Sequence, residues 1–246
     1  MNENSHCPNQ PRSQGSDSRF DWSDFWRGAR FAVPVMLGYF TVGFAFGVLA
    51  VQAGLNPLTA GLMSWFVYAG SGQLIATGML IAGADGLSVI MTTFVVNLRH
   101  LLMSAAMTPY LRHWSKPLQA WFSFQMTDET FALNLGRFGV DGVNLGRTMG
   151  INLFSHLAWT FAGVAGAFFG DVIGDVKPYG LDFALIAMFT ALIMPHLKIP
   201  KRLLAVILGA GFSVLLSIAG VGQWTVMIAT AAAATLAAFW PRRAHA

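Results

Sequence analysis

Long apolar blocks recur along this 246-residue chain and constrain its fold more than any other feature. Crossing the hydrocarbon layer of a membrane takes about 20 mainly apolar residues, and seven blocks approach or exceed that length. Charged residues make up only 11% of the sequence, whereas a soluble domain carries about 25%. We therefore expect an all-α, polytopic transmembrane bundle. The predicted spans are 31–52, 58–82, 87–110, 150–170, 181–197, 203–220 and 223–240.

An eighth segment, 118–136, is long enough to cross but carries Asp128 and Glu129. Loop charges bear on its topology, because cytoplasmic loops are enriched in Lys and Arg. With the N-terminus inside and this segment crossing, most later basic loops fall inside, and Arg112 and Lys116 are the exceptions. We predict eight spans and a cytoplasmic N-terminus. The alternative is seven spans, with 118–136 re-entrant or outside the membrane.

The remaining composition excludes several classes of protein. Residues 1–19 lack the apolar core of a signal peptide, so we expect a disordered cytoplasmic tail before one transmembrane domain, 20–246. The net charge of +4 does not indicate nucleic acid, because the basic residues flank the apolar blocks. The single cysteine, Cys7, cannot build a disulfide framework, and we expect neither a metal nor a cofactor. Known nucleotide-binding and hydrolase motifs are absent from the sequence, so we do not expect an enzyme.

The two halves of the chain resemble each other weakly. Gly43-x-x-x-Gly47 recurs 123 residues later as Gly166-x-x-x-Gly170, and similar apolar runs follow both pairs. Small residues at this spacing let helices approach closely, so we predict that both pairs are packing seams. Internal repeats are common in secondary transporters. We predict a two-fold repeat, 31–136 and 150–240.

The second predicted span is interrupted by the run Tyr68-Ala69-Gly70-Ser71-Gly72-Gln73. Glycine inside a helix costs about 1 kcal/mol relative to alanine, and the polar residues here fall at the middle of the span. We predict a broken helix whose freed backbone amides receive a carboxylate, as in discontinuous transporter helices. The alternative is ordinary close packing through glycine and serine.

Polar residues form a stripe along the third predicted span. Thr93, Asn97, His100, Ser104 and Thr108 follow one another at spacings that place them on one helix face. Arg99 lies on the same turn as His100. A charge near the middle of the bilayer costs at least about 2.5–3.5 kcal/mol, so it normally faces the protein interior and a partner. We predict a functional Arg99, and the alternative is an ion pair that only holds helices together.

The segment 118–136 is polar around most of its circumference and cannot face lipid near its middle. Asp128 and Glu129 are the acids that we expect to pair with Arg99 and to exchange a proton during transport. The alternative is an exposed amphipathic loop helix. We expect His156 and Asp182 to be groups at helix ends or interfaces.

Three motifs resemble the AzlC family: SWFVYAGSGQ at 64–73, NLRH at 97–100 and TDETFA at 127–132, with GLDFA at 180–184 also fitting. The resemblance runs from about Phe31 to the C-terminus. It implies the large subunit of a bacterial branched-chain amino acid exporter in the inner membrane. It also implies a small AzlD-type membrane subunit as partner. The family supplies no established site residues to transfer.

The resemblance implies leucine, isoleucine, valine and sometimes methionine as substrates, and together with the buried ionisable residues it predicts a secondary active exporter coupled to protons. Trp65, Phe66 and Met103 are candidate apolar walls for the substrate. The alternatives are an ion or small-solute channel and an intramembrane enzyme using His100 with the two acids. The predicted substrate-binding residues are Tyr68, Gly70, Ser71, Gly72, Gln73, Asn97 and Arg99, and the predicted proton-coupling residues are His100, Asp128 and Glu129.

Overall fold

The computed structural model describes residues 20–173, 190, 200–221 and 225–239, and every regular element of four or more residues in this part of the chain is a helix. The all-α prediction is confirmed for these residues. The tail 1–19 and, apart from residue 190, the predicted span 181–197 lie outside them. The helices are α1 (Trp22–Gln52), α2 (Pro57–Phe66), α3 (Gly70–Ile81), α4 (Gly86–Leu111), α5 (Lys116–Phe124), α6 (Asp128–Asp141), α7 (Leu145–Ile173), α8 (Pro200–Ile218) and α9 (Thr225–Phe239).

Among the described residues, three helices are long and apolar enough to cross a membrane: α1, α4 and, over Leu145–Gly170, α7. A shorter apolar stretch, Leu203–Ile218, lies in α8. Both α1 and α7 begin before the spans predicted at 31 and 150, because amphipathic first turns extend them. The total of seven or eight spans stays a prediction.

Two of the predicted spans each consist of two helices. Residues 67–69 separate α2 from α3, close to the predicted interruption at 68–73, and Gly70–Gln73 form the first turn of α3. The break in the second helical span is therefore confirmed. A second break, at residues 125–127, separates α5 from α6 within 118–136, where we expected one continuous helix. The polar run there ends one helix and caps the next.

The two breaks are capped differently. At the start of α6, the Thr127 hydroxyl accepts from the Thr130 amide at 3.3 Å, and the Thr130 hydroxyl accepts from the Thr127 amide at 2.8 Å. This reciprocal pair is a capping box, which satisfies two amides that the helix itself leaves free. At the start of α3, the N-cap residue Ala69 has no side chain able to do the same. The first amides of α3 therefore lack a side-chain cap.

The described residues form two compact units. Unit 1 comprises the described residues up to Leu37 together with His100–Ala158, and unit 2 comprises Gly38–Arg99 together with the described residues from Trp159 onward. Each unit takes residues from both halves of the sequence. The single-domain boundaries and the two-fold repeat stay predictions.

Glycines bring α1 and α7 into close contact. In unit 2, a β-carbon on Gly47 would clash with the carbonyl of Gly163, and one on Gly166 would clash with the carbonyl of Phe44. Gly43 and Gly170 also face the opposite helix, at Ala162 and Val51. The prediction that both glycine pairs are packing seams is therefore confirmed, and both seams belong to one helix–helix interface.

Within each unit, the order of contacts along α7 shows whether a neighbouring helix runs parallel or antiparallel to it. In unit 2, higher-numbered residues of α1 meet higher-numbered residues of α7, so these helices run parallel. From α2 to α3 the contacts on α7 move backwards, from Val164 beside Gly61 to Trp159 beside Gly70. In unit 1, Gln125 meets His156, whereas Asn134 meets Asn152. The segment formed by α2 and α3 thus runs antiparallel to α7 in unit 2, and α6 runs antiparallel to α7 in unit 1.

A cluster of buried apolar side chains forms the core of unit 1 and holds α5 and α6 against the end of α4 and the start of α7. Trp114 and Phe122 meet edge to face within it, with ring centroids 6.1 Å apart. Burial of large aromatic side chains dominates the energy of such a cluster. The core residues are Met107, Leu111, Trp114, Phe122, Met126, Phe138 and Leu145.

Candidate functional site

The break between α2 and α3 in unit 2 contains a residue in an unusual backbone conformation. Tyr68 has a φ of 42°, in the left-handed region that bulky side chains rarely adopt. Its side chain is buried, and its ring meets the Tyr39 ring edge to face at 6.3 Å between centroids. Such strain persists only where surrounding contacts enforce it, and it concentrates at functional sites.

Polar side chains line the first turn of α3. Ser71 and Gln73 are buried, with 2% and 0% exposure. The guanidinium of Arg99, from α4, donates a hydrogen bond to the Ser71 hydroxyl. A β-carbon on Gly72 would lie 2.9 Å from the Asn97 amide nitrogen, so the missing side chain lets α4 approach. The structure thus brings together the two predicted groups, 68–73 and 97–99.

Trp159, on α7, covers this turn, and the sequence reasoning missed it. Its indole nitrogen donates to the Gln73 amide oxygen at 3.0 Å. A β-carbon on Gly70 would lie 2.8 Å from the indole ring. The Phe46 ring stacks on the indole with 6.2 Å between ring centroids. A tryptophan in mid-span is a usable signal, because tryptophan otherwise concentrates at membrane interfaces.

Two of the three residues expected as apolar walls are largely exposed, whereas Met103 lies in unit 1 and its role stays a prediction. Trp65 and Phe66 are 40% and 64% exposed. Both lie at the end of α2, where the helix directs them outward before the break. The buried aromatic side chains in unit 2 are instead Tyr39, Phe46, Tyr68 and Trp159. The buried aromatic side chains of unit 2 thus come from α1, α7 and the break itself rather than from α2.

The electrostatic character of the α3 turn is positive. The N-terminal end of a helix carries about half a unit of positive charge on its free amides. Here those amides lack a side-chain cap, and Arg99 adds a full positive charge next to Ser71. A carboxylate or another anion fits such a site, because backbone amides and a guanidinium both donate to oxygen.

The break between α5 and α6 in unit 1 is surrounded by a neutral polar network. Gln125 meets the His156 ring nitrogen Nδ1 at 3.1 Å. The Asn134 amide donates to Asn152 at 2.8 Å and to the Thr130 carbonyl at 2.9 Å. His156 lies at an interface, as we expected, because it contacts Gln125 and the Phe124 ring at the end of α5; it is 1% exposed and well inside α7 rather than at a helix end. The polar run Thr148, Asn152, Ser155 and His156 at helical spacing was the missed signal.

The three predicted proton-coupling residues all fall in unit 1 and are partly buried. Asp128 and Glu129 occupy the first turn of α6, where the positive end of the helix favours carboxylates. His100 lies on α4. Arg99 belongs to unit 2, so its pairing with either acid stays a prediction.

Known proteins resemble this chain over most of its length. The chain is 27% identical to the "Branched-chain amino acid transport protein AzlC" of Bacillus subtilis, over 78% of this chain and 76% of that protein. It is 28% identical to the "Inner membrane protein YgaZ" of Escherichia coli, over 88% and 91%. It is 32% identical to an "Uncharacterized membrane protein" of Helicobacter pylori, over 68% and 72%.

No solved structure matches the chain. The family model described as AzlC protein matches residues 34–173, more than half of the sequence. The matched region includes both helix breaks and most of the α1–α7 interface. It also contains every predicted site residue. This chain therefore belongs to the AzlC family.

Proposed function

We propose that this chain exports branched-chain amino acids from the cell and that the α3 turn receives the substrate carboxylate. The supporting observation is the uncapped N-terminus of α3, with Arg99 hydrogen-bonded to Ser71. The name of the Bacillus subtilis relative, a branched-chain amino acid transport protein, supports the substrate class. Leucine, isoleucine and valine share the same α-ammonium and α-carboxylate groups, so one site that binds the carboxylate serves all three.

In this proposal the residues around the break have separate roles. Arg99, Ser71 and the amides of Gly70 and Gly72 bind the carboxylate. Gln73 and Asn97 orient these groups, and Tyr68 holds the break in shape. Trp159 lies directly over Gly70, so it supplies an apolar surface for an aliphatic side chain. This combination of a few polar groups with apolar walls is typical of small-molecule sites.

We also propose that export is coupled to protons through His100, Asp128 and Glu129 in unit 1. Ionisable side chains within membrane segments commonly form proton relays in transporters. A small AzlD-type membrane subunit is the proposed partner, on the resemblance described above. Collapse of the pH gradient and membrane potential should abolish uphill export from loaded vesicles. Unchanged export under those conditions would exclude the coupling.

The proposed topology has eight spans and a cytoplasmic N-terminus. In this topology the broken segments 57–81 and 116–141 each cross once, which agrees with the antiparallel direction of α2–α3 and of α6 relative to α7. Parallel α1 and α7 require an odd number of crossings between them. With α4 crossing, both broken segments therefore cross, or neither does.

Single-cysteine labelling in a Cys7→Ser background separates these two topologies. Cysteines at Ala53 and Val143 should label from outside and inside, respectively, in both cases. If both segments cross, a cysteine at Ala84 labels only from the cytoplasm and one at His113 labels from outside. The reverse result at these two positions would show that neither segment crosses.

The test of function uses a bacterial strain without its own branched-chain amino acid exporters, fed with leucine-, isoleucine- or valine-containing dipeptides. Hydrolysis loads the cytoplasm with the amino acid. Expression of this chain with its small subunit should lower the internal concentration and restore growth, and export should saturate. No change in internal concentration would contradict export, whereas fast, non-saturating flux would indicate a channel.

A further inference from the structure

The side-chain amide of Gln73, on α3, is paired at one end only. Its Oε1 atom accepts a hydrogen bond from the Trp159 indole nitrogen at 3.0 Å. Its Nε2 atom is buried and has no hydrogen-bond partner in the described part of the chain. The residue as a whole is 0% exposed. Because buried polar groups are normally paired, a buried donor in this state indicates a bound ligand or an ordered water molecule.

Trp159 determines which end of this amide is unpaired. An indole N–H can only donate a hydrogen bond, so the Gln73 atom that faces it is the carbonyl oxygen. The flipped amide would bring two donors together. The unpaired end is therefore an NH2 group with two donor hydrogens, and its guest is a hydrogen-bond acceptor.

Other residues of unit 2 hold the indole ring in place. Trp159 is 3% exposed, and the Tyr39 ring meets it edge to face with 5.4 Å between centroids. The Phe46 ring stacks on it, and a β-carbon on Gly70 would lie 2.8 Å from it. A ring enclosed in this way keeps its N–H in one direction. The orientation of the Gln73 amide is therefore fixed as well.

The unpaired NH2 group lies at the N-terminal end of α3. Side chains in a helix tilt toward the N-terminus, so the Gln73 side chain extends over the turn before its own α-carbon. Gly70 lies three residues earlier on the same face, and Trp159 contacts both positions. The first backbone amides of α3 lack a side-chain cap. The Gln73 NH2 group and these amides therefore offer donors at the same end of the helix.

We propose that Gln73 donates a hydrogen bond to the substrate carboxylate and that Trp159 is its positioning residue. This inference rests on the proposed function and adds a direct contact to the orienting role that Gln73 has there. It also gives the indole nitrogen a role separate from the apolar surface of the ring. A carboxylate has about four lone-pair sites, so it accepts from Gln73 and from the uncapped amides together. Its charge strengthens each of these hydrogen bonds.

A double-mutant cycle separates this role from a merely structural one. Gln73→Met removes the donor, Trp159→Phe removes the indole N–H but keeps an aromatic ring, and a third variant carries both changes. Each single change leaves a buried group of the partner unpaired, whereas the double change leaves neither. The fall in Tm of the double variant should therefore be smaller than the sum of the two single falls.

Leucine affinity should not follow Tm in this cycle. We expect the leucine Kd to be at least about tenfold higher in Gln73→Met, because a hydrogen bond to a charged group is lost. The double variant should have the same Kd as Gln73→Met. Trp159→Phe should raise Kd by a smaller factor, roughly threefold to tenfold, because the amide is present but no longer oriented.

Binding of radioactive leucine to the purified full-length chain, together with its small subunit, measures Kd, and melting in detergent measures Tm. Thr77→Val is the matched control. Thr77 lies one turn beyond Gln73 on the same face of α3 and is also 0% exposed. Its hydroxyl donates to the carbonyls of Gln73 and Leu74 within its own helix. This variant should keep the leucine Kd of the parent chain.

The outcomes that overturn this inference differ from the one that overturns the proposed function. An unchanged Kd in Gln73→Met, or a Kd that recovered together with Tm in the double variant, would show that Gln73 is structural and that its NH2 group binds water. If the two losses of affinity were additive, Trp159 would not be the positioning residue. If the parent chain bound no leucine, the carboxylate site of the proposed function would itself be wrong, and this contact with it.

Discussion

The two helix breaks differ in where their stabilising contacts come from. In unit 1, the start of α6 is capped by Thr127 and Thr130, only three residues apart in sequence. In unit 2, the start of α3 has no side-chain cap, and its partners are distant, with Ser71 and Arg99 separated by 28 residues. Gln73 and Trp159 are separated by 86.

This difference indicates which break is available to an anion. A helix N-terminus that is already capped, and that carries two acids in its first turn, repels a carboxylate. An uncapped N-terminus beside a guanidinium attracts one. The α3 turn therefore suits an anionic group, whereas the capped start of α6 does not.

The largest expected effect comes from removing the charge at the α3 turn. Arg99→Ala should lower leucine export about 10- to 100-fold, because a hydrogen bond to a charged group contributes roughly 1.5–3 kcal/mol. Initial export rates from preloaded cells measure this loss. Arg99→Lys should recover part of the activity, since it keeps the charge but loses the planar donor geometry.

Arg112→Ala is the matched control for that experiment. Arg112 follows the end of α4, is exposed and donates to the neighbouring His113 ring at 3.2 Å. Its removal should leave export unchanged at equal protein levels. If Arg99→Ala exported leucine as fast as the Arg112→Ala control, the α3 turn would not be an anion site. The two breaks would then not differ in anion binding.

A second prediction gives α3 the kind of cap that α6 already has. Ala69→Asp places a carboxylate at the N-cap position, where it should satisfy the free amides and compete with the substrate. We expect the apparent affinity for leucine to fall about tenfold, since losing one charge-assisted contact costs roughly 1.5–3 kcal/mol. Export rates across a range of internal leucine concentrations measure this affinity.

Ala69→Asn separates charge from shape in that experiment. Asparagine also caps helices but carries no charge, so its effect on leucine affinity should be smaller. Tm should not fall in the Ala69→Asp protein if the new cap forms. An unchanged leucine affinity in a folded Ala69→Asp protein would show that the substrate carboxylate binds elsewhere.

Local sequence signals predicted part of this arrangement. Gly70 and Gly72, flanking a serine, indicated the α3 break, and the two Gly-x-x-x-Gly pairs indicated close helix packing. The α5–α6 break was missed because its capping box has threonine at the third helical position, where the usual signature has Glu or Gln. Trp159 and His156 were underrated because their partners, 86 and 31 residues away, depend on tertiary structure.

One glycine-to-alanine change in each unit compares how tightly the two units are packed. We expect a moderate effect on Tm and export. Gly70→Ala introduces a β-carbon 2.8 Å from the Trp159 ring, so the indole must move away from Gln73. We expect lower Tm and lower export. Gly136→Ala, in the middle of α6, meets no atom within 4 Å. It should stabilise the helix by about 1 kcal/mol, which raises Tm by roughly 2–4 °C.

Both variants are measured by melting in detergent and by export. The two variants should change Tm in opposite directions because of packing alone, since neither glycine has a positive φ. Gly136→Ala should leave export unchanged. If Gly70→Ala also raised Tm and kept full export, the close contact between Trp159 and α3 would not be part of the working structure.

The smallest expected effect lies outside the membrane segments, at the turn before α4. Ser88 donates through its hydroxyl and its backbone amide to Asp85, and these hydrogen bonds hold the pKa of the Asp85 carboxyl below its ordinary value of 3.8. Because the folded pKa is lower than the unfolded one, this stabilisation is present above about pH 4. It is lost as the pH falls through the folded pKa.

Ser88→Ala should therefore lower Tm slightly at pH 6 and narrow the difference in Tm between pH 6 and pH 3. Ser115→Ala is the matched control from unit 1, because Ser115 occupies the N-cap of α5 without a side-chain hydrogen bond. Its melting curve should keep the parent's pH dependence. If the difference in Tm between pH 6 and pH 3 narrowed equally in both variants, the acid sensitivity of the protein would come from carboxyls other than Asp85. A narrowing in Ser88→Ala alone would show that the caps of the two units differ in solution as they do in the structure.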